Sequence, residues 1–171
     1  RDYVLKVEGQ EAPLLNIFGG KITTYRRLAE SAMARLAPFF PGLKPDWTAG
    51  VALPGGDFAT DGVSSLIAEL ALRHPFLTRA EAERLVRAYG TEATQVLGTA
   101  ETRADLGRDF GAGLSEAEVR WQMRQEWARR AADVVWRRTK LGLKMTADQI
   151  AALDDWMVAE AAGRQNSGTE F

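Results

Sequence analysis

The sequence contains no cysteine and a single histidine, His74. The first absence excludes disulfides, thiolate zinc sites, cysteine-ligated iron-sulfur clusters and a cysteine nucleophile; the second excludes any zinc site that needs two imidazoles. A chain without disulfides fits a reducing cytoplasm. Neither sign of charge dominates: 22 Lys+Arg stand against 23 Asp+Glu over 171 residues, a formal net charge of -1. The basic surplus that makes nucleic acid a default partner is therefore missing, and no nucleic acid is expected. No stretch approaches the roughly 20 apolar residues of a membrane span. The chain starts at Arg1 without the charged, apolar and small-residue regions of a signal peptide, so it reads as a piece of something longer. What is present, 46% hydrophobic and 26% charged residues, is the balance of a globular protein with a packed core.

Proline is scarce and unevenly placed. Four of the six (Pro38, Pro41, Pro45, Pro54) fall between Ala37 and Phe58, together with Gly42, Gly50, Gly55 and Gly56, the composition of an ordered linker. This divides the chain into a segment 1–37, a linker 38–58, an all-helical unit 59–163 and a polar tail 164–171. In the first segment, residues 2–7 and 13–18 are short apolar runs that suit a hairpin, which needs a helix or a further sheet to lean on. From Ile22, the spacing Ile22, Tyr25, Leu28, Ala29, Ala32, Leu36 makes one helical face that stops before Pro38.

Beyond the linker, helices are expected at about 61–73, 79–89, 92–97, 116–141 and 147–162. Thr78 with Glu81, Ser115 with Glu118 and Thr146 with Gln149 each fit a capping box at a helix start, and Gly90 and Gly163 sit where helices should end. The fold class is mainly α: a helical cap domain preceded by a β-hairpin and one helix. His74, before Pro75, reads as a capping or surface histidine, and Trp47, Trp121, Trp127, Trp136 and Trp156 read as core. Asp57, Asp61, Asp105 and Asp109 lack EF-hand spacing, so no metal site is expected. Within 115–145, eight bases stand against four acids, and the bases scatter around a helix axis. Glu126 with Arg130 and Asp133 with Arg137 form i to i+4 pairs beside Val119, Met123 and Val134, which predicts a partly buried ion-pair ladder of architectural rather than catalytic purpose.

Gly19-Gly20-Lys21 follows an apolar strand and precedes a helix, a placement that aims backbone N–H groups and the helix dipole at whatever lies in front. It is not a Walker A loop, because Leu15 stands where the first glycine belongs and Ile22 where Ser/Thr belongs. Spacing alone admits a tight strand-to-helix turn or a ligand loop. Gly111-Ala112-Gly113 has Glu116 in place of a third glycine and no strand before it, so it reads as a plain loop.

The run Gly19-Gly20-Lys21-Ile22-Thr23-Thr24-Tyr25-Arg26, with Leu28-Ala29-Glu30 one turn later, resembles the closing helix of the FAD domain in FAD-dependent (aerobic) glycerol-3-phosphate dehydrogenases. Leu53-Pro54-Gly55-Gly56, Pro75-Phe76-Leu77, Tyr89-Gly90, Asp105-Leu106-Gly107 and Glu126 to Gly142 resemble that family's C-terminal helical cap. The resemblance implies the C-terminal part of an enzyme that oxidises sn-glycerol 3-phosphate to dihydroxyacetone phosphate, reduces bound FAD and passes electrons to quinone. The dinucleotide-binding domain would lie upstream, and the fragment alone would be inactive and bind FAD weakly. By the same resemblance, Arg1 faces the substrate phosphate, Gly19 and Gly20 line the flavin, and Lys21 and Thr23 lie near the ring and substrate, with Lys21 the catalytic candidate. The resemblance also implies a cytoplasmic enzyme, peripheral at the inner face of the membrane, and leaves room for a homo-oligomer. The alternative is a non-catalytic all-α interaction module.

Overall fold

The computed structural model describes residues 3–9 and 11–166. By the contacts between its residues, the chain divides into two units between Val51 and Ala52, and each is described by itself.

In the first unit, β1 (Val4–Glu8) and β2 (Leu14–Phe18) form an antiparallel hairpin with Val4 opposite Phe18, Lys6 opposite Asn16 and Glu8 opposite Leu14. Because side chains alternate across a strand, Leu5, Val7 and Leu15 share the half-buried face, whereas Val4, Leu14 and Phe18 stand on the exposed one. A short 3-10 turn, Ile22–Thr24, leads into α1 (Tyr25–Leu36). This helix packs on both strands, and Tyr3 Oη lies 2.9 Å from Ser31 Oγ. The hairpin therefore leans on the helix that follows it. Pro38 falls in a second 3-10 turn, Ala37–Phe39, which closes the helix. The chain then folds back, and Glu30 accepts hydrogen bonds from Thr48 N, Thr48 Oγ1 and Arg26 Nη1. None of the described residues in this unit is fully buried; Ile22, expected to open an inward face, is 85% exposed.

The second unit holds α2 (Val63–Arg73), α3 (Arg79–Tyr89), α4 (Ala93–Leu97), α5 (Glu116–Gln125), a π-helical stretch Asp133–Arg138, and α6 (Ala147–Asn166). Its core has two parts. The first gathers Leu70, the α3 stripe Ala82, Leu85, Val86 and Tyr89, then Val96, Leu97 and Leu106. The second gathers Leu114, Val119, Met123, Val134, Val135, Leu141, Leu153 and Met157. α5 serves both, turning Ala117 and Trp121 to one and Val119 and Met123 to the other, as a helix with apolar residues on two faces must.

Hydroxyl caps set three of the helix starts. The Thr78 box is reciprocal, with Glu81 N donating to Thr78 Oγ1 and Thr78 N to Glu81 Oε2, and the Thr146–Gln149 box closes the same way. Ser115 Oγ accepts Glu118 N, but the Glu118 side chain is used elsewhere. Gly90 ends α3 at φ +55° and ψ -128°, backbone open only to glycine. A Cβ there would lie 1.8 Å from Gly55 O. Gly55 O in turn accepts Thr91 N at 3.1 Å, and Thr91 Oγ1 donates to Asp57. The Leu53 to Asp57 segment is thus strapped across the end of α3.

Four expectations need correction. The helix predicted over 116–141 ends at Gln125, because Trp127 takes a left-handed φ of +55° and the N–H groups of Arg129, Arg130 and Ala131 go to the carboxylates of Asp133 and Asp154 instead of to a continuing helix. With that break, Glu126 cannot reach Arg130. Arg138 meets Glu126 at 3.5 Å, Arg130 meets Asp154 at 2.8 Å, and only Asp133 with Arg137 forms as spaced; the carboxylates of these pairs are partly buried, while Arg130 and Arg137 are about two-thirds exposed. Gly163 does not end its helix, which runs on to Asn166. His74, read as a capping or surface histidine, is the C-cap of α2 as expected and is buried there, its Nδ1 3.0 Å from Ala100 O. Of the five tryptophans, only Trp121 and Trp156 pack on the core; Trp47, Trp127 and Trp136 are exposed.

Candidate functional site

The strand-to-helix turn of the first unit brings Gly19, Gly20, Lys21 and Thr23 onto one short exposed segment. Gly19 and Gly20 have φ of +82° and +104°, a pair of left-handed values that side-chain-bearing residues rarely adopt. A Cβ on Gly20 would press to 3.1 Å of Leu28 Cδ2, so helix α1 closes the inner side of the turn and leaves its outer side bare. Lys21 is extended (φ -126°, ψ 149°) and caps the 3-10 turn, its carbonyl accepting both Thr24 N at 3.0 Å and Thr24 Oγ1 at 3.1 Å. The backbone of Lys21 is thereby fixed while its ammonium takes no partner among the described residues. Thr23 is likewise exposed. Arg1 lies outside the described residues. Among the described residues, no cluster of three or more His, Asp or Glu is placed to hold a metal ion.

The chemistry of this donor set fits the edge of a flavin ring. A flat, electron-accepting ring needs side-chain-free backbone to approach, which the two glycines could supply, and a cation beside the position where negative charge develops, which Lys21 could supply. The ring itself would bring hydride acceptance.

A second concentration of polar chemistry lies inside the helical unit. Glu118, 1% exposed, accepts bonds from Arg84 Nη1 and Nη2 at 2.7 Å each and from Tyr89 Oη at 2.8 Å. Gln122 Nε2 donates to Tyr89 Oη at 2.6 Å, and Arg84 Nη2 also donates to Gly113 O at 2.9 Å. Burial, and then the Glu118 charge, push the Tyr89 hydroxyl well above its ordinary range, so it stays a donor. Burial lowers the Arg84 guanidinium, but its bonds to Glu118 outweigh this and leave it raised. No sequence signal marks Arg84 or Gln122, Tyr89 enters only through the Tyr89-Gly90 pair of the resemblance, and Glu118 reads only as a cap. Partners 29 to 34 residues apart leave no local signal. This network ties α3 to α5 and to the loop holding Gly111 and Gly113, which is a plain loop as expected.

Residues 47–165 match the family described as the C-terminal domain of alpha-glycerophosphate oxidase. That match covers well over half of the chain. The chain belongs to this family. It is also 46% identical over 160 residues to the aerobic glycerol-3-phosphate dehydrogenase of Escherichia coli (strain K12), covering 92% of the chain and 32% of the relative. A glycerol-3-phosphate dehydrogenase of Pseudomonas aeruginosa is 44% identical over 162 residues, 94% of the chain and 31% of the relative. The D-erythritol 1-phosphate dehydrogenase of Brucella abortus is 42% identical over 157 residues, 91% of the chain and 31% of the relative. The chain therefore spans about a third of the length of these curated relatives and corresponds to their C-terminal part. The family match lies mainly in the helical unit, whereas a match covering 92% of the chain also reaches across Gly19–Thr23.

Proposed function

We propose that this chain is the C-terminal third of an FAD-dependent oxidoreductase that oxidises sn-glycerol 3-phosphate to dihydroxyacetone phosphate and passes the electrons to quinone, and that the piece alone is inactive. The observation that carries the reading is the Gly19–Thr23 turn: a side-chain-free approach beside a backbone-fixed Lys21 that is unpaired among the described residues. Bound FAD supplies the hydride acceptor, and its pyrophosphate-binding unit belongs to the N-terminal part. The residues of this chain act at the ring edge and the substrate. Lys21 holds a positive charge where negative charge develops during oxidation, the Thr23 hydroxyl offers a hydrogen bond beside it, and Arg1 presents a planar fork of donors to the substrate phosphate. The enzyme works peripherally at the inner face of the cytoplasmic membrane, where quinone is available.

In the full-length enzyme, Lys21→Ala is expected to slow single-turnover flavin reduction by a factor equivalent to about 2 to 4 kcal/mol, the usual loss for one preorganised donor, with the melting temperature unchanged. Flavin reduction at the parent rate would remove Lys21 from the site. A purified full-length protein without flavin absorbance would favour the non-catalytic interaction module. The kinship to a D-erythritol 1-phosphate dehydrogenase supports a second reading, in which the parent takes the longer polyol phosphate; kcat/KM for the two substrates on the same enzyme separates them.

A further inference from the structure

The most exposed tryptophan stands where a protein normally puts glycine. Trp127 has φ +55°, and its left-handed turn lets Ala128 N donate to Gln122 O at 3.1 Å, the carbonyl that also takes Glu126 N at 3.0 Å. Helix ends of this kind favour glycine because a Cβ is crowded there. The strain delivers an indole to solvent, 77% exposed, so neither backbone preference nor burial accounts for tryptophan at this position. Residues held against both preferences mark places where a fold keeps a contact.

The chain that follows repeats the pattern. Lys140 is also left-handed, at φ +59°, and between it and the Trp127 turn lies a π-helix, a form frequent at functional positions. Trp136 and Leu143 are exposed as well. Arg138 fastens the two ends together, donating to Glu126 O at 2.6 Å. The flanking bases Arg124 and Arg129 are exposed, and Arg129 has no side-chain partner among the described residues. An exposed large aromatic flanked in sequence by exposed arginines has the residue types enriched at interface centres.

We propose that Trp127 is the anchor through which the helical unit docks on the N-terminal two-thirds of its own polypeptide, in an apolar socket rimmed by carboxylates. The family description makes residues 47–165 a domain of a longer enzyme, and the relatives are about three times as long as this chain, so a tethered partner surface is present in every molecule at high effective concentration. A second copy is a poor occupant: a twofold contact centred on Trp127 sets Arg124, Arg129 and Arg138 against their own images, and like charges brought together oppose association. The proposal rests on the chain being part of the longer enzyme and is independent of which substrate that enzyme oxidises.

The test uses the full-length enzyme with the photo-crosslinker p-benzoylphenylalanine in place of Trp127, mixed from light and heavy isotope preparations. The expected product on illumination is a crosslink to a peptide N-terminal to this chain, formed only light to light and heavy to heavy. Crosslinks between light and heavy copies, crosslinks to lipid, or no crosslink at all overturn the proposal. Trp127→Gly in the same enzyme gives a second readout of opposite sign for the two cases. If the indole anchors the unit, losing it outweighs the relief of strain, the melting temperature falls, and proteolysis within residues 38–58 accelerates. A melting temperature that rises, as relief of strain alone would produce, refutes the anchor. Neither measurement involves turnover, so a wrong substrate assignment leaves both outcomes intact.

Discussion

Arg84→Met tests whether the buried network carries stability. Glu118 is 1% exposed and takes three hydrogen bonds, two of them from Arg84 at 2.7 Å. Removing the guanidinium leaves an ionised carboxylate in the interior with one neutral donor, Tyr89. Each lost charge-assisted bond is worth about 1.5 to 3 kcal/mol, and stranding one member of a buried pair costs about 3 to 5 kcal/mol in total. The expected effect on the urea midpoint corresponds to that range. In Arg84→Met with Glu118→Leu, both charges are gone and most of the loss should return, because well-packed apolar replacements of buried pairs are close to neutral. A single-variant cost below about 1 kcal/mol, the range of an exposed pair, would refute the argument. So would a double variant no better than Arg84→Met.

Two further substitutions probe local devices. Gly90→Ala forces a side chain into backbone at φ +55°, ψ -128° and into Gly55 O. It should cost about 1 to 3 kcal/mol from strain and release the strap, read as faster proteolysis between residues 50 and 58. Glu81 is held at about 2, first by its bond from Arg103 and then by the Thr78 cap. Its folded pKa lies below its unfolded one, so its contribution is complete above about 4.5 and is lost as pH falls toward about 2. Glu81→Gln should flatten the stability profile in that window, and an unchanged acid limb would show that other groups set it.

Where local chemistry decides structure, the sequence was legible. Helix α3 runs from Arg79 to Tyr89 as predicted because its start is a reciprocal Thr78–Glu81 box and its end is a glycine that no other residue replaces. The hairpin and α1 follow from apolar runs and spacing alone. The long helix over 116–141 failed because its interruption uses neither glycine nor proline. It depends on Asp154, in a helix that begins at Ala147, accepting Ala131 N at 2.8 Å and pairing with Arg130. The same distant aspartate dissolved the expected ladder: once Trp127 turns the chain, residues four apart in sequence no longer lie one helical turn apart.

The two polar sites divide along the same line, and the division explains their different standing. Gly19, Gly20, Lys21 and Thr23 are contiguous, so a motif could name them, yet among the described residues nothing closes over Lys21. The role proposed for it depends on groups outside this chain. Arg84, Tyr89, Glu118 and Gln122 are scattered over 39 positions and no single motif joins them, but among the described residues their bonds are complete except for Gln122 Oε1, which is buried without a partner. An enclosed network with a single buried acceptor left unpaired has little to offer a ligand and is expected to act on stability. The open turn is the reverse, a fixed backbone with an uncommitted cation, which stabilises little and is free to act on a substrate. Thus Arg84→Met should alter unfolding while sparing flavin chemistry, and Lys21→Ala should slow flavin chemistry while sparing unfolding. Exchange of those two outcomes would mean that the buried network, and not the turn, is the functional element.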